Sequence, residues 1–479
     1  MNPRNTAILA LVVVALGAFV CFYEIGGEEE RAREKEAENR IFAGVTADAI
    51  TAISLVTNDG VTARLERGEE HWGLTEPVAF WAKSLAIDGI ASALADLTSK
   101  AVFDEPEPLE EYGLDGEPAV RFWEGEAAHE LRIGDKSPIG GNTYVASEDT
   151  TRVYAVETYL VNAMDKSLGD LRDPRVLDFD RESVSGFDAS WPGGRVSLER
   201  SGENWLVTAP VEAAADGDTV DSLLSTLLFM RADGFEDSPP SDGETGLDAP
   251  SFQVELHTTE GADPVRLAIG SHTLGARRLA RGRSETTLYL IDESRLEDFP
   301  RELEAYRFKQ LAEFSEEDAA RFELVYEEGG VKTTVTGERG ESGWETSPEP
   351  MAAGKARRLV SELSDLEAEG IAADAMGDEE LAGLGLKPPR LTMRVLGEAS
   401  EGEEPTRLAQ VHLGSSVANR GIAAQREGDE VVYWLAYGLG EHIPVSLEAF
   451  NNRFVSEEEP ETLDSETPDL QIEEPAASP

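Results

Sequence analysis

From residue 50 onward, apolar and polar positions alternate in stretches separated by short turns. ITAISLVTNDGVTARLER shows the pattern first: β-branched and apolar residues at every second place around Asn58-Asp59-Gly60, which predicts a β-hairpin. LDFD to VSLER and FELVYEEGGVKTTVT repeat it, the last turning at Gly329-Gly330. After each hairpin comes a tryptophan behind a polar turn (Trp72, Trp205, Trp344), then a proline (Pro77, Pro210, Pro348). The period then changes from two to 3.6. Ile87, Ile90, Leu94 and Leu97 form a helical stripe, as do Val220, Leu223, Leu224, Leu227 and Leu228, with Asp218 or Thr219 placed to cap; Leu359, Leu363 and Leu366 form the third. A Gly-Leu turn follows at Gly113, Gly246 and Gly385, 41 residues after the tryptophan each time. A strand ending in glycine comes next (LRIG, LAIG, VHLG at Gly134, Gly270, Gly414), then an aromatic strand (RVYAV, TLYLI, VVYWL).

Five landmarks recur in fixed order, with the tryptophans 133 and 139 residues apart. The pattern predicts an α+β fold: three tandem modules of antiparallel sheet plus helix, at residues 41–173, 174–309 and 310–455. Modules of this size can bury a core alone, so self-sufficient beads in a row are expected.

The ends differ. Thr6 to Tyr23 has no charge over 18 positions, about 27 Å as a helix, and predicts a transmembrane anchor within residues 1–27. No A-x-A pattern marks it for cleavage, and Val20 before Cys21 does not suit lipidation. Residues 28–40 (EEERAREKEAENR among them) are charged all round and read as a stalk, and residues 456–479 as a disordered acidic tail. The bases Arg31, Arg33, Lys35 and Arg40 after the anchor oppose an outward orientation under the positive-inside rule, but large domains translocate largely regardless of it.

Composition narrows the function. With 95 acidic and 42 basic residues the net charge is −53, which excludes nucleic acid as partner and broad adsorption to anionic lipid. One cysteine allows no internal disulfide or Cys-based zinc site. The six histidines form no H-E-x-x-H, and neither a G-x-S-x-G elbow nor a Walker loop occurs. Asp216-Gly217-Asp218 with Asp221 fails the calcium-loop pattern and reads as a helix cap. No catalytic residue, cofactor or metal is therefore expected. One basic cluster stands out: Arg277, Arg278, Arg281 and Arg283, expected to share an exposed strand edge that either guards the sheet or docks an acidic partner. The repeated tryptophans are expected in cores.

Trp72-Gly-Leu-Thr-Glu-Pro77, Leu109-Glu-Glu-Tyr-Gly-Leu-Asp-Gly-Glu-Pro118 and Leu131-Arg-Ile-Gly134, behind an N-terminal apolar helix, resemble a bacterial envelope family known only as domain of unknown function four-three-four-zero. The later copies match more loosely; Lys387-Pro388-Pro389 keeps the proline and lacks the aspartate. The resemblance spans nearly all of residues 1–455. It implies a single-pass inner-membrane protein, anchored by residues 6–23, with its large C-terminal part in the periplasm. Its implied partners are an ABC-type permease and auxiliary envelope subunits of an export or gliding-like system, to which it would be a non-enzymatic accessory or scaffold. No site residues come with it. A cell-wall or glycan ligand-binding protein or enzyme, with one specialised repeat, is the alternative.

Overall fold

The computed structural model describes residues 39–455 except 105, 107, 260, 262, 353 and 399–403. The apolar segment 6–23, most of the stalk and the acidic tail lie outside the described residues. Among those described, no helix is long and apolar enough to cross a membrane. The chain divides into two compact units, Met1–Arg195 with Ser222–Phe299, and Val196–Asp221 with Pro300–Pro479.

Unit one holds a nine-stranded sheet built from β1 (Ile50–Val56), β2 (Thr62–Arg67), β3 (Trp72–Glu76), β4 (Phe80–Trp81), β5 (Ser99–Asp104), β6 (Val120–Glu124), β7 (Ala127–Lys136), β8 (Asn142–Ser147) and β9 (Arg152–Glu157). The order is β4-β3-β2-β1-β6-β7-β8-β9-β5, antiparallel throughout. The alternation read from the sequence is the reason: Ile53, Leu55, Ala63, Leu65, Leu74, Phe122 and Leu131 face one way and are buried. Each large one contributes ~1.5–3 kcal/mol by leaving water. Helix α1 (Ser84–Ala95) buries its stripe of Ile87, Ile90 and Leu94. Trp72 on β3 is buried, and its indole N–H donates to Asp88 of that helix at 2.8 Å.

Unit one also contains β10 (Val184–Trp191), β14 (Gly234–Glu236), β15 (Phe252–Thr258), β16 (Val265–Leu274), β17 (Arg277–Arg281) and β18 (Leu288–Asp292). They pair in the order β10-β15-β16-β17-β18-β14, which matches β1-β6-β7-β8-β9-β5. In unit two, β11 (Gly194–Ser201), β12 (Asn204–Ala209) and β13 (Ala213–Ala214) form a meander like β2, β3 and β4. Helix α2 (Gly217–Leu228) follows it, with Val220, Leu223, Leu224 and Leu227 buried. Its first turn is capped by Asp216, whose carboxylate accepts from Thr219 N at 2.7 Å; the cap thus lies in the Asp216-Gly217-Asp218 stretch read as one, and not at Asp218 or Thr219.

Unit two's large sheet uses β20 (Arg321–Glu328), β21 (Val331–Gly340), β22 (Gly343–Ser347), β24 (Gly370–Ala373), β25 (Leu391–Leu396), β26 (Arg407–Val417), β27 (Gly421–Arg426) and β28 (Val432–Leu435), in the order β22-β21-β20-β25-β26-β27-β28-β24. A separate pair joins β19 (Gln310–Glu313) to β23 (Asp365–Glu367). Helix α3 (Lys355–Ser364) buries Leu359, Val360 and Leu363.

The repeated glycines have steric causes. Gly113, Gly246 and Gly385 adopt positive φ of 68°, 73° and 70°, a left-handed turn that favours glycine. Those turns press against β7, β16 and β26. A methyl group on Gly134, Gly270 or Gly414 would overlap the carbonyl oxygen of Tyr112, Thr245 or Leu384. These strands do not end at the glycine as expected; they run on past it, with a register shift just beyond. Glu76-Pro77, Ala209-Pro210 and Ser347-Pro348 are all cis.

Candidate functional site

Among the described residues no three or more of His, Cys, Asp and Glu are placed to hold a metal ion. One row resembles a hydroxyl–imidazole–carboxylate relay. Thr392 Oγ1 lies 3.0 Å from His412 Nδ1, and His412 Nε2 meets Glu427. The His412 hydrogen bond holds the Glu427 carboxyl below its ordinary range. Thr392 is buried on β25, however, so its hydroxyl cannot meet a substrate. Gln410 ties the row to Arg394 and Arg407, each at 3.0 Å. This is a cross-strand polar ladder.

The four arginines do not share an exposed edge. β17 is an interior strand between β16 and β18. Arg277 stands opposite Asp292. Arg278 donates to the carbonyls of Gly270 and Ser271 and to Glu293 at 2.7 Å. Arg281 forks onto Asp242 at 2.7 and 3.3 Å. Arg283 is buried. It pairs with Asp173 at 3.0 Å and lies 4.3 Å from the Trp81 ring centre.

Arg283 belongs to a denser cluster that sequence reasoning missed. Arg172 is 2 % exposed and forks onto Asp237 with bonds of 3.0 and 2.7 Å. Its guanidinium lies over Phe80 and Phe235, at 5.3 and 5.0 Å. Thr287 donates to the same Asp237 at 3.0 Å. Phe80 of β4 touches Phe235 of β14 edge-on at 5.2 Å, with Tyr289 of β18 behind at 6.1 Å. Burial alone would raise the Asp173 carboxyl, but hydrogen bonds from Arg175 and Arg283 outweigh it and hold the group below its usual range. The two sheets of unit one are thus joined by a buried, charge-paired aromatic contact. Independent beads were expected; within this unit the sheets share buried residues.

The same construction appears in unit two. Arg307, whose side chain is 8 % exposed, pairs with Asp374 just after β24. Phe308 lies under Arg426 at 5.7 Å. The backbone places the two arginines alike: Ala82 bridges Arg172 and Ala215 bridges Arg307, while Met351 bridges Val455 in the third such position. The arginine is present at two of these places and replaced by Val455 at the third. Two arginines 135 residues apart, 100 and 102 residues after Trp72 and Trp205, are the signal a sequence alignment of the copies would have offered.

The third tryptophan is also different. Trp72 and Trp205 are 3 % and 4 % exposed, while Trp344 is only half-buried. Beside it opens a cleft of about 990 Å³, bounded by Glu316, Arg339, Glu345, Met351 and Arg357. Strands β4 and β13 follow β3 and β12 in the other meanders; β22 has no such successor.

The family described as Domain of unknown function (DUF4340) matches residues 72–206 and again residues 205–379. The two matches begin at Trp72 and Trp205 and together cover more than half of the chain. The chain belongs to this family. The DUF4340 frame thus runs from one tryptophan to the next, and its second match passes Trp344 and reaches Glu379. No curated protein matches the chain. The family carries no assigned activity, so function rests on the geometry above.

Proposed function

We propose that this DUF4340 chain is a non-enzymatic scaffold, anchored in the inner membrane by residues 6–23, whose three tandem modules at 41–173, 174–309 and 310–455 stand in the periplasm. Its complex is an ABC-type export or gliding-like envelope system, with the permease and auxiliary subunits as partners. The observation that carries the scaffold reading is the recurring arginine–aspartate joint, Arg172 to Asp237 and Arg307 to Asp374. A protein that only spaces and presents surfaces needs stiff joints and no active site. The three matching strand orders support the threefold reading. A membrane tether raises effective concentration, so weak contacts with neighbours suffice. Affinity purification of the full chain from native membranes in mild detergent tests this: the permease and its ATPase are expected in the eluate, and their consistent absence would contradict the assignment. A reporter fused after Val455 tests the periplasmic placement.

A second reading is favoured by the cleft at Trp344, which suits a glycan or peptide ligand on one specialised copy. Cell-wall fragments should then change tryptophan fluorescence in the parent protein, and Trp344→Phe should remove that change.

A further inference from the structure

The socket that receives each arginine occurs a third time, on the first sheet, and there no arginine among the described residues fills it. In unit one, β14 and β18 form a socket from Phe235, Tyr289 and Asp237, with Phe235 paired to Tyr289 in register. In unit two, β24 and β28 form another from Ile371, Tyr433 and Asp374, with Ile371 paired to Tyr433. The first sheet builds the counterpart from β5 and β9, where Val102 pairs with Tyr154 and Asp104, two places on, lies opposite Arg152. Each aspartate lies at the end of the sheet's edge strand or just after it. The first two sockets are filled by Arg172, with Phe80 beside it, and by Arg307. On β5, Val102 remains 45 % exposed on the face it shares with Asp104, while Phe103 on the other face packs against Tyr112 and Tyr144.

Hydrogen bonding shows why no arginine among the described residues sits there as Arg172 and Arg307 sit in theirs. Pro174 and Lys309 accept from Ala232 and Ala368, and Asn39 accepts from Ser99 in the same way. The residue two places before each acceptor is Arg172, Arg307 and Ala37. The third arginine is missing from the sequence. Asp104 instead pairs with Arg152 at 2.9 Å, both side chains more than half exposed. A pair in water is weak and exchangeable. In the filled socket of unit one this place holds Thr287, which shares Asp237 with the incoming arginine.

We infer that the β5 edge around Val102 and Asp104, with Tyr154 of β9 beside it, is a docking socket for another protein, one presenting an arginine. The two filled sockets define that chemistry, and the acidic surface favours a cationic visitor. A second copy of this chain is a poor candidate, because Val455 stands where its third arginine would be. The inference refines the scaffold reading by naming where a partner binds.

The test is photo-crosslinking in cells with benzoylphenylalanine in place of Val102 in the full chain, followed by sequencing of the crosslinked peptide. The expected result is a peptide from another protein with an arginine close to the attachment point. Asp104→Ala should lower its yield about tenfold, the effect of ~1.4 kcal/mol, and Arg152→Thr should raise it. An unchanged urea midpoint will show that both variants fold, since both side chains are exposed. A yield no greater than with the probe at exposed Val331, or one unaffected by Asp104→Ala, would overturn the socket. If transporter subunits still co-purify in that case, the socket alone fails and the scaffold stands; if crosslinking behaves as expected and no subunit co-purifies, the reverse holds.

Discussion

Arg172 and Asp237 lie 65 positions apart and meet through two parallel hydrogen bonds, one partner 2 % exposed and the other 35 %. Their unequal burial makes the pair asymmetric. Asp237→Ala leaves a guanidinium buried without its counter-charge, which costs ~3–5 kcal/mol. Arg172→Met leaves a carboxylate that water can reach and an apolar chain against Phe80 and Phe235, so the loss should be smaller, ~1–2 kcal/mol. Urea unfolding of both variants checks the order; equal losses would mean that charge pairing does not govern the strength of the joint.

The glycines that receive the turns should tolerate no side chain. Gly134→Ala, Gly270→Ala and Gly414→Ala each force a methyl group into a carbonyl oxygen and should destabilise by ~1–3 kcal/mol. Gly89→Ala in α1 meets nothing within 4 Å and should stabilise by ~0.5–1 kcal/mol. Thermal unfolding of the four variants separates close approach from general loss of glycine.

Acid should loosen the joint through Asp173. Its folded pKa lies below the ordinary value of ~3.9 because Arg175 and Arg283 donate to it despite burial. The stabilisation is therefore present above pH ~4 and lost as pH falls through the folded value. Asp173→Asn should lower the melting temperature at neutral pH and flatten the acid limb of its pH dependence. An acid limb unchanged from that of the parent protein would remove Asp173 from the joint's energetics.

Alkali should act on Tyr433, which burial first and Asp429 second push up to about 12. The raised value makes the neutral phenol the folded form, so its contribution is full below pH ~10 and declines as pH rises toward the folded pKa. Tyr433→Phe should lessen the loss of stability between those values, and ultraviolet difference absorbance should show one late-titrating tyrosine fewer.

The landmarks visible in the sequence were those with local causes. Trp72 and Trp205 are core, and the 41-residue step to Gly113, Gly246 and Gly385 reflects a turn that only a left-handed backbone completes. Strand alternation and the stripe in α1 were legible for the same reason. The joints were not, because Arg172 and Asp237 are ordinary charged residues in a chain with 95 carboxylates, and only folding brings them together. Arg283 was noticed for the wrong reason: proximity in sequence to three other arginines suggested an exposed edge, while β17 lies inside its sheet. The half-exposure of Trp344 follows from the absence of a short strand after β22, which carries no sequence signature beyond EPMAAG.

Hydrogen exchange of the Asp237→Ala variant tests most directly whether the sheets are joined bodies or separate beads. If the joint couples them, amides of β3 and β4 and of β14 and β18 should lose protection together. Loss confined to the few residues around position 237, with β3 and β4 protected as before, would contradict it.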